Sequence, residues 1–283
     1  TLVSKLFENI VNYYGRQLEQ KKFIMKISLR SIKPKIDPHN SFPCTNEIEF
    51  GFVFQGGFER MAQLDYFQDS IIQIREHFKS AKIVVSTFSH HSKIVNRLRL
   101  LSESLDFLLL INGDPGQVKR PYARNLLRQI NSTYYGMLEL KKMGVELAVK
   151  IRIDQRIAHL QSLDLVRDSL FRFPSSGTNS KMRIIGSSLN SYITKPAFLS
   201  DCLHFGHIDD LLSYWSLESS ASIYSNFQKV VENLGKNEQA LVVHPEYWLS
   251  IRYLRKLGVV CDSNSEYNVK FWKDFAMVVD SEF

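Results

Sequence analysis

Lys82-Ile-Val-Val-Ser-Thr-Phe88 decides how the rest of this chain is read. The run is short and rich in apolar, β-branched side chains, so it predicts a strand buried on both faces. Three more runs share its character. Ile48–Gln55 ends in Gly56-Gly57, Phe107–Asn112 is closed by Gly113-Asp-Pro-Gly116, and Glu146–Ile153 stands alone. Met182–Ser187 adds a fifth. Between these runs, Tyr66–Phe78, Ile94–Ser102 and Tyr122–Lys142 have helical spacing. Buried strands alternating with helices predict an α/β fold, a mostly parallel sheet covered by helices on both faces. Farther along, Leu203–Phe205 is a short apolar piece, Asp209–Trp215 begins a helix, and Glu238–Arg255 reads as a second long helix.

Toward the N-terminus the pattern changes. Residues 3–29 carry apolar side chains near helical spacing, and Lys33–Pro43 holds three prolines, which fix φ and remove hydrogen-bond donors. This predicts a basic helical leader and proline-containing linker over residues 1–45, followed by a single domain over 46–283. Of the formal net charge of +7, nearly all sits in the leader. Lys5, Arg16, Lys21, Lys22, Lys26, Arg30, Lys33 and Lys35 are opposed within residues 1–36 only by Glu8 and Glu19. Such a segment suits an anionic membrane surface, where each cation gains on the order of 1 kcal/mol. It also suits nucleic acid, but a near-neutral main domain argues against a nucleic-acid groove there. The three cysteines are widely spaced, with no Cys-x-x-Cys, which argues against a disulfide framework and a zinc ribbon. A reducing, cytoplasmic setting is the simplest expectation, with peripheral attachment to the inner membrane through residues 1–36. No apolar run approaches the roughly 20 residues of a membrane span.

In an open parallel sheet, ligands bind beyond the carboxyl ends of the strands. The residues there are Gln55 and Gly56 after the first run, Thr87 at the end of the second, Asn112 and Asp114 after the third, and Arg152 and Asp154 after the fourth. In Lys150-Ile-Arg-Ile-Asp154, strand alternation puts Lys150, Arg152 and Asp154 on one side. An Asp at a strand end can hold a divalent cation against a diphosphate. It can equally close the strand as an ion pair with arginine, and no second carboxylate completes an Asp-x-Asp clamp. Arg124 and Arg128 lie one turn apart near the start of the third helical stretch, where they favour an anionic ligand. His204 and Asp210, in His204-Phe-Gly-His-Ile-Asp-Asp210, are candidates for the acceptor side, although one of the two aspartates can serve only as a helix cap. Asn237 is a natural N-cap, which puts Glu238 in a first helical turn, as a general base or as a dipole partner. The phosphate-loop, Gly-x-Ser-x-Gly and Gly-x-Gly-x-x-Gly signatures are all missing, which disfavours P-loop NTPases, α/β-hydrolases and classical dinucleotide enzymes.

Taken in order, Phe52-Val-Phe-Gln-Gly56, Ile83-Val-Val-Ser-Thr87, Asn112-Gly-Asp-Pro-Gly116, Arg128-Gln129, Lys150-Ile-Arg-Ile-Asp154, His204-Phe-Gly206 and Glu238-Gln239 resemble the WavE family of lipopolysaccharide-synthesis proteins. The likeness spans about residues 48–255 and departs from the family pattern at Leu127 and Ile153. It implies a glycosyltransferase A-type (Rossmann-like) fold, a nucleotide-sugar donor, and a lipid-linked or oligosaccharide acceptor of lipopolysaccharide, O-antigen or capsule. By the same likeness Gln55, Thr87 and Asp114 line the nucleotide end, and Arg128 lies near the donor phosphates. Asp154 takes the place of the metal ligand for Mn or Mg, and Glu238 is the candidate base. Two other readings stay open. One is a metal-independent transferase using a nucleoside-monophosphate sugar, and the other is a non-catalytic glycan- or nucleic-acid-binding module.

Overall fold

β1 (Phe50–Gln55), β2 (Lys82–Phe88), β3 (Leu108–Asn112) and β4 (Leu147–Arg152) pair side by side and all run parallel. The computed structural model describes residues 49–88, 92–116, 125–157, 160–176, 179–188, 191, 197–217, 244–259 and 264–279. Within them the sheet has seven strands in the order β3-β2-β1-β4-β6-β5-β7. β5 (Ile184–Ser187) and β7 (Ala276–Val279) pair in parallel, and β6 (Leu203–His207) runs antiparallel to both β4 and β5. The expected mostly parallel α/β sheet is what the chain forms.

Both faces are covered. Phe50, Phe52 and Phe54 project from β1 to one face, as a period of two requires. There they pack with Phe67 and Ile71 of α1 (Ala62–His77), Leu98 of α2 (Ser92–Leu105) and Leu163 and Leu170 of α4 (Ser162–Arg172). Val53, Val84 and Ala148 project to the other face, against Ile130, Met137 and Leu140 of α3 (Leu126–Lys142). α5 (Ile208–Tyr214) and α6 (Pro245–Lys256) extend that second layer, and α7 (Asn264–Lys270) with a π-helical turn, Phe271–Phe275, leads into β7.

Two glycines let α3 close on the sheet. A Cβ on Gly136 would stand 2.5 Å from Val53 Cγ1, and one on Gly51 would stand 2.7 Å from Leu140 Cδ1. The first three strands are laid outward from β1, and the chain then crosses back by α3 to place β4 on the far side of β1. The strand order therefore reverses between β1 and β4, which makes that boundary the topological switch point of the sheet.

The structure corrects several expectations. Leu203–Phe205, read only as a short apolar piece, is resolved as part of an antiparallel strand. α4 is a helix beyond those expected, although Leu163, Val166 and Leu170 have helical spacing. The long helix does not continue from Glu238 through Trp248. It begins at Pro245, because His244 is extended at φ −88°, ψ 129°. Proline disfavours helical geometry in the residue before it and suits the first helical position. The expected leader and linker, residues 1–45, together with Arg124 and Glu238, lie outside the described residues. Among the described residues no helix is long and apolar enough to cross a membrane.

Candidate functional site

The switch point carries a polar row. Gln55 at the end of β1 is the register partner of Ser86 on one side and of Arg152 on the other. All three face the α3 side of the sheet, since Val53, Val84 and Ala148 share their parity. Asn112 at the end of β3 donates to Ser86 Oγ at 2.8 Å and to the Thr87 carbonyl at 3.2 Å, tying two strand ends together. Thr87 alternates to the opposite face, and its buried Oγ1 has no hydrogen-bond partner among the described residues. Gly56, at φ 130°, turns the chain out of β1 in a conformation that L side chains rarely adopt.

The first turns of α3 lie over this row. Ser132 donates to the buried Gln55 Oε1 at 3.1 Å. Arg128 Nε donates to Asp114 Oδ1 at 2.8 Å, and its Nη2 bonds Asp114 Oδ2. The amide of Gly116 also donates to Asp114 Oδ1, at 2.9 Å. Arg152 makes the same fork with Asp154, through Nε to Oδ1 at 2.9 Å and Nη2 to Oδ2 at 2.7 Å. Planar guanidinium matches carboxylate and phosphate alike. The hydrogen bond from Arg128 to Asp114 raises the Arg128 pKa, and that from Arg152 to Asp154 does the same for Arg152. Burial alone would raise the Asp154 pKa, but the Arg152 bonds and charge hold it below the usual carboxylate value.

A third carboxylate lies at the same edge. Gln129, beside Arg128, donates to Asp201 Oδ2 at 2.6 Å. The ammonium of the fully buried Lys150 donates to the Asp201 carbonyl and lies 4.9 Å from the centre of the Trp215 ring. Burial lowers the Lys150 pKa to about 8.

The structure therefore brings Gln55, Gly56, Thr87, Asn112, Asp114, Arg128, Arg152 and Asp154 to one edge of the sheet, although Thr87 reaches it only through its carbonyl. His204 and Asp210 are placed elsewhere. His204 is fully buried within β6, where its Nδ1 accepts from Trp215 Nε1 at 2.9 Å. Burial, and then the charge of Lys150, depress its pKa well below the ordinary histidine value. Asp210 lies at the opposite edge, because β6 runs antiparallel and its last residue, His207, pairs with Leu147 at the start of β4. There Asp210 accepts from the amides of Lys181 and Met182, the latter at 2.8 Å. A hollow of about 410 Å³ beside Arg75, Glu76, Lys79 and Asp106 is also remote from the strand ends, next to the turn that precedes β3.

Reasoning from strand-end residues alone misses Gln129, Ser132 and Asp201. The two α3 residues were findable, because they lie one and four positions beyond Arg128 in a predicted helix. Asp201 precedes an antiparallel strand, and Leu203 pairs with Ile151, so residues before β6 lie at the edge where the residues after β4 emerge.

Among the described residues no ready-made cation cage is present. Both Asp154 oxygens are engaged by Arg152, and among the described residues no three of His, Cys, Asp and Glu gather to hold a metal ion.

A parallel sheet covered on both faces, with a charged edge at its switch point, defines an α/β protein of the kind that takes ligands beyond its strand ends. The family model described as WavE lipopolysaccharide synthesis matches residues 50–276, and the chain belongs to that family. No curated protein matches the chain. Among solved structures, a mannosyltransferase from Pyrobaculum calidifontis in complex with GDP-Man and Mn2+ is similar at 9% identity and a TM-score of 0.39, covering 80% of this chain and 75% of its own. The PaToxG glycosyltransferase is similar at 11% identity and a TM-score of 0.29, covering 80% and 84%.

Proposed function

We propose that this protein is a glycosyltransferase of the A-type fold that moves a sugar from a nucleotide-sugar donor to a hydroxyl of a growing lipopolysaccharide, O-antigen or capsule glycan. Membership of a lipopolysaccharide-synthesis family supports the process. One structural observation carries the chemistry: two guanidinium groups, Arg128 and Arg152, stand on either side of the switch point where Gln55 ends β1. The anionic group that develops in sugar transfer is a phosphate on the departing nucleotide. Preorganised guanidinium donors stabilise that charge most where water is scarce.

In this reading Gln55, Gly56, Asn112 and the Thr87 carbonyl form the floor under the nucleotide. Arg128 and Arg152 release Asp114 and Asp154 in part and take phosphate oxygens. The acceptor hydroxyl forms the new bond to the anomeric carbon, the bond to the phosphate oxygen breaks, and a base receives the hydroxyl proton. Glu238 is the candidate base and Arg124 a further phosphate ligand, on sequence grounds. The leader would hold the enzyme at an anionic membrane surface through residues 1–36, with the reaction in the cytoplasm.

Arg152→Ala tests the site: transfer is expected to fall roughly 100-fold while the melting temperature stays near that of the wild type. Unchanged turnover in that variant would remove the assignment. A second reading, transfer without a cation from a nucleoside-monophosphate sugar, is favoured by the Arg152–Asp154 fork, which occupies the carboxylate that Mn or Mg would need. Full activity in excess EDTA supports it, and loss restored by manganese rejects it.

A further inference from the structure

We infer that Asp201, on the turn before β6, binds a hydroxyl of the transferred sugar and selects a neutral sugar over one that bears its own carboxylate. The inference rests on the proposed sugar transfer and adds a substrate class to it. Asp114 and Asp154 have both oxygens bonded to arginines. Asp201 differs. It is 7% exposed, its Oδ2 takes the Gln129 amide at 2.6 Å, and among the described residues nothing donates to its Oδ1. The Oε1 of Gln129 is also buried without a donor among the described residues. A buried acceptor without a donor, on the very side chain that holds the Asp201 carboxylate, calls for a ligand rich in hydroxyl groups.

The position suits a sugar attached to a phosphate. Asp201 is bonded to the residue next to Arg128, and the strand pairing of Leu203 with Ile151 sets its turn beside the end of β4, where Arg152 emerges. A sugar whose phosphates lie on Arg128 and Arg152 would have its ring hydroxyls within reach of this carboxylate at the same edge. A sugar carboxylate would instead meet a nearly buried carboxylate, a like-charge contact in a poorly solvated place. Lys150 is a positioning residue in this arrangement: fully buried, it cannot touch substrate, and its bond to the Asp201 carbonyl fixes the turn.

The test is equilibrium binding to the full chain by calorimetry, with UDP, GDP, UDP-glucose, UDP-glucuronic acid, GDP-mannose and CMP-sialic acid as probes. The wild type is expected to bind a hexose nucleotide at least about tenfold more tightly than its acidic-sugar counterpart. Asp201→Asn is expected to narrow that preference to within about threefold while leaving affinity for the bare nucleotide unchanged. Equal wild-type affinity for UDP-glucose and UDP-glucuronic acid overturns the inference without any variant. So does an unchanged preference in Asp201→Asn, or tighter binding of CMP-sialic acid than of every hexose nucleotide. If no nucleotide and no sugar nucleotide binds, the proposed transfer itself fails, and the inference with it.

Discussion

The two halves of the sheet feed the same edge in opposite ways. In β1–β4 every strand runs parallel, so each delivers the residues at its carboxyl end to that edge, among them Gln55, Asn112 and Arg152. On the other side of β4, antiparallel β6 delivers its preceding residues, Asp201 above all, and sends the residues beyond its carboxyl end to the far edge. Substitutions in the polar tips of the first half should therefore change activity. Substitutions in β6 should change stability, whereas those at Asp201, just before it, should change binding.

The largest effect expected is on turnover. Arg128→Ala or Arg152→Ala should each lower kcat/KM for a nucleotide sugar by roughly 100-fold. The melting temperature should hardly move, since partly exposed ion pairs contribute about 0–1 kcal/mol. His204→Ala breaks the comparison if it does the same. It should instead leave the Trp215 N–H without its partner and cost about 1–3 kcal/mol in denaturant unfolding.

Packing comes next. Gly136→Ala puts a methyl group 2.5 Å from Val53 Cγ1, on a β-branched side chain with little freedom, and should cost about 1–3 kcal/mol. Gly186→Ala, on the β5 side, meets Leu199 Cδ1 at the same 2.5 Å and its branch carbon Cγ at 2.8 Å, and Leu199 is fully buried, so the loss measured by urea unfolding should be similar.

Lys150 sharpens the contrast through pH. Its folded pKa, lowered to about 8 by burial, lies below the unfolded value of 10.5. Between those values the unfolded chain binds the extra proton, so this group makes stability rise with pH across that window, by up to roughly 3 kcal/mol. Urea unfolding from pH 7 to 10 should show the rise in the wild type and lack it in Lys150→Met. The smallest effect belongs to the far edge. Hydrogen bonds from Lys141 and Lys181 lower the Asp209 pKa to about 2. Stability from this group is present above the unfolded value of 3.8 and is lost as pH falls toward 2. Screening limits it to below about 1 kcal/mol, which a comparison of acid unfolding in Asp209→Asn would measure.

The sequence by itself determined the class of fold and most of the parallel half. Short, β-branched apolar runs such as Lys82–Phe88 read as buried strands, and a parallel sheet obliges the polar residues after them to gather at one edge, so Gln55, Asn112, Asp114 and Arg152 were legible from local pattern. The tertiary structure alone decided the rest. The direction of β6 is set by its pairing with β4, a contact between distant segments that leaves no mark on periodicity. That direction placed Asp201 beside Arg152, buried His204 under Trp215, and carried Asp210 to the opposite edge. Whether Asp154 meets a cation or an arginine also depended on a side-chain geometry that spacing does not encode: two residues apart on one face of a strand end, Arg152 closes on it as a fork.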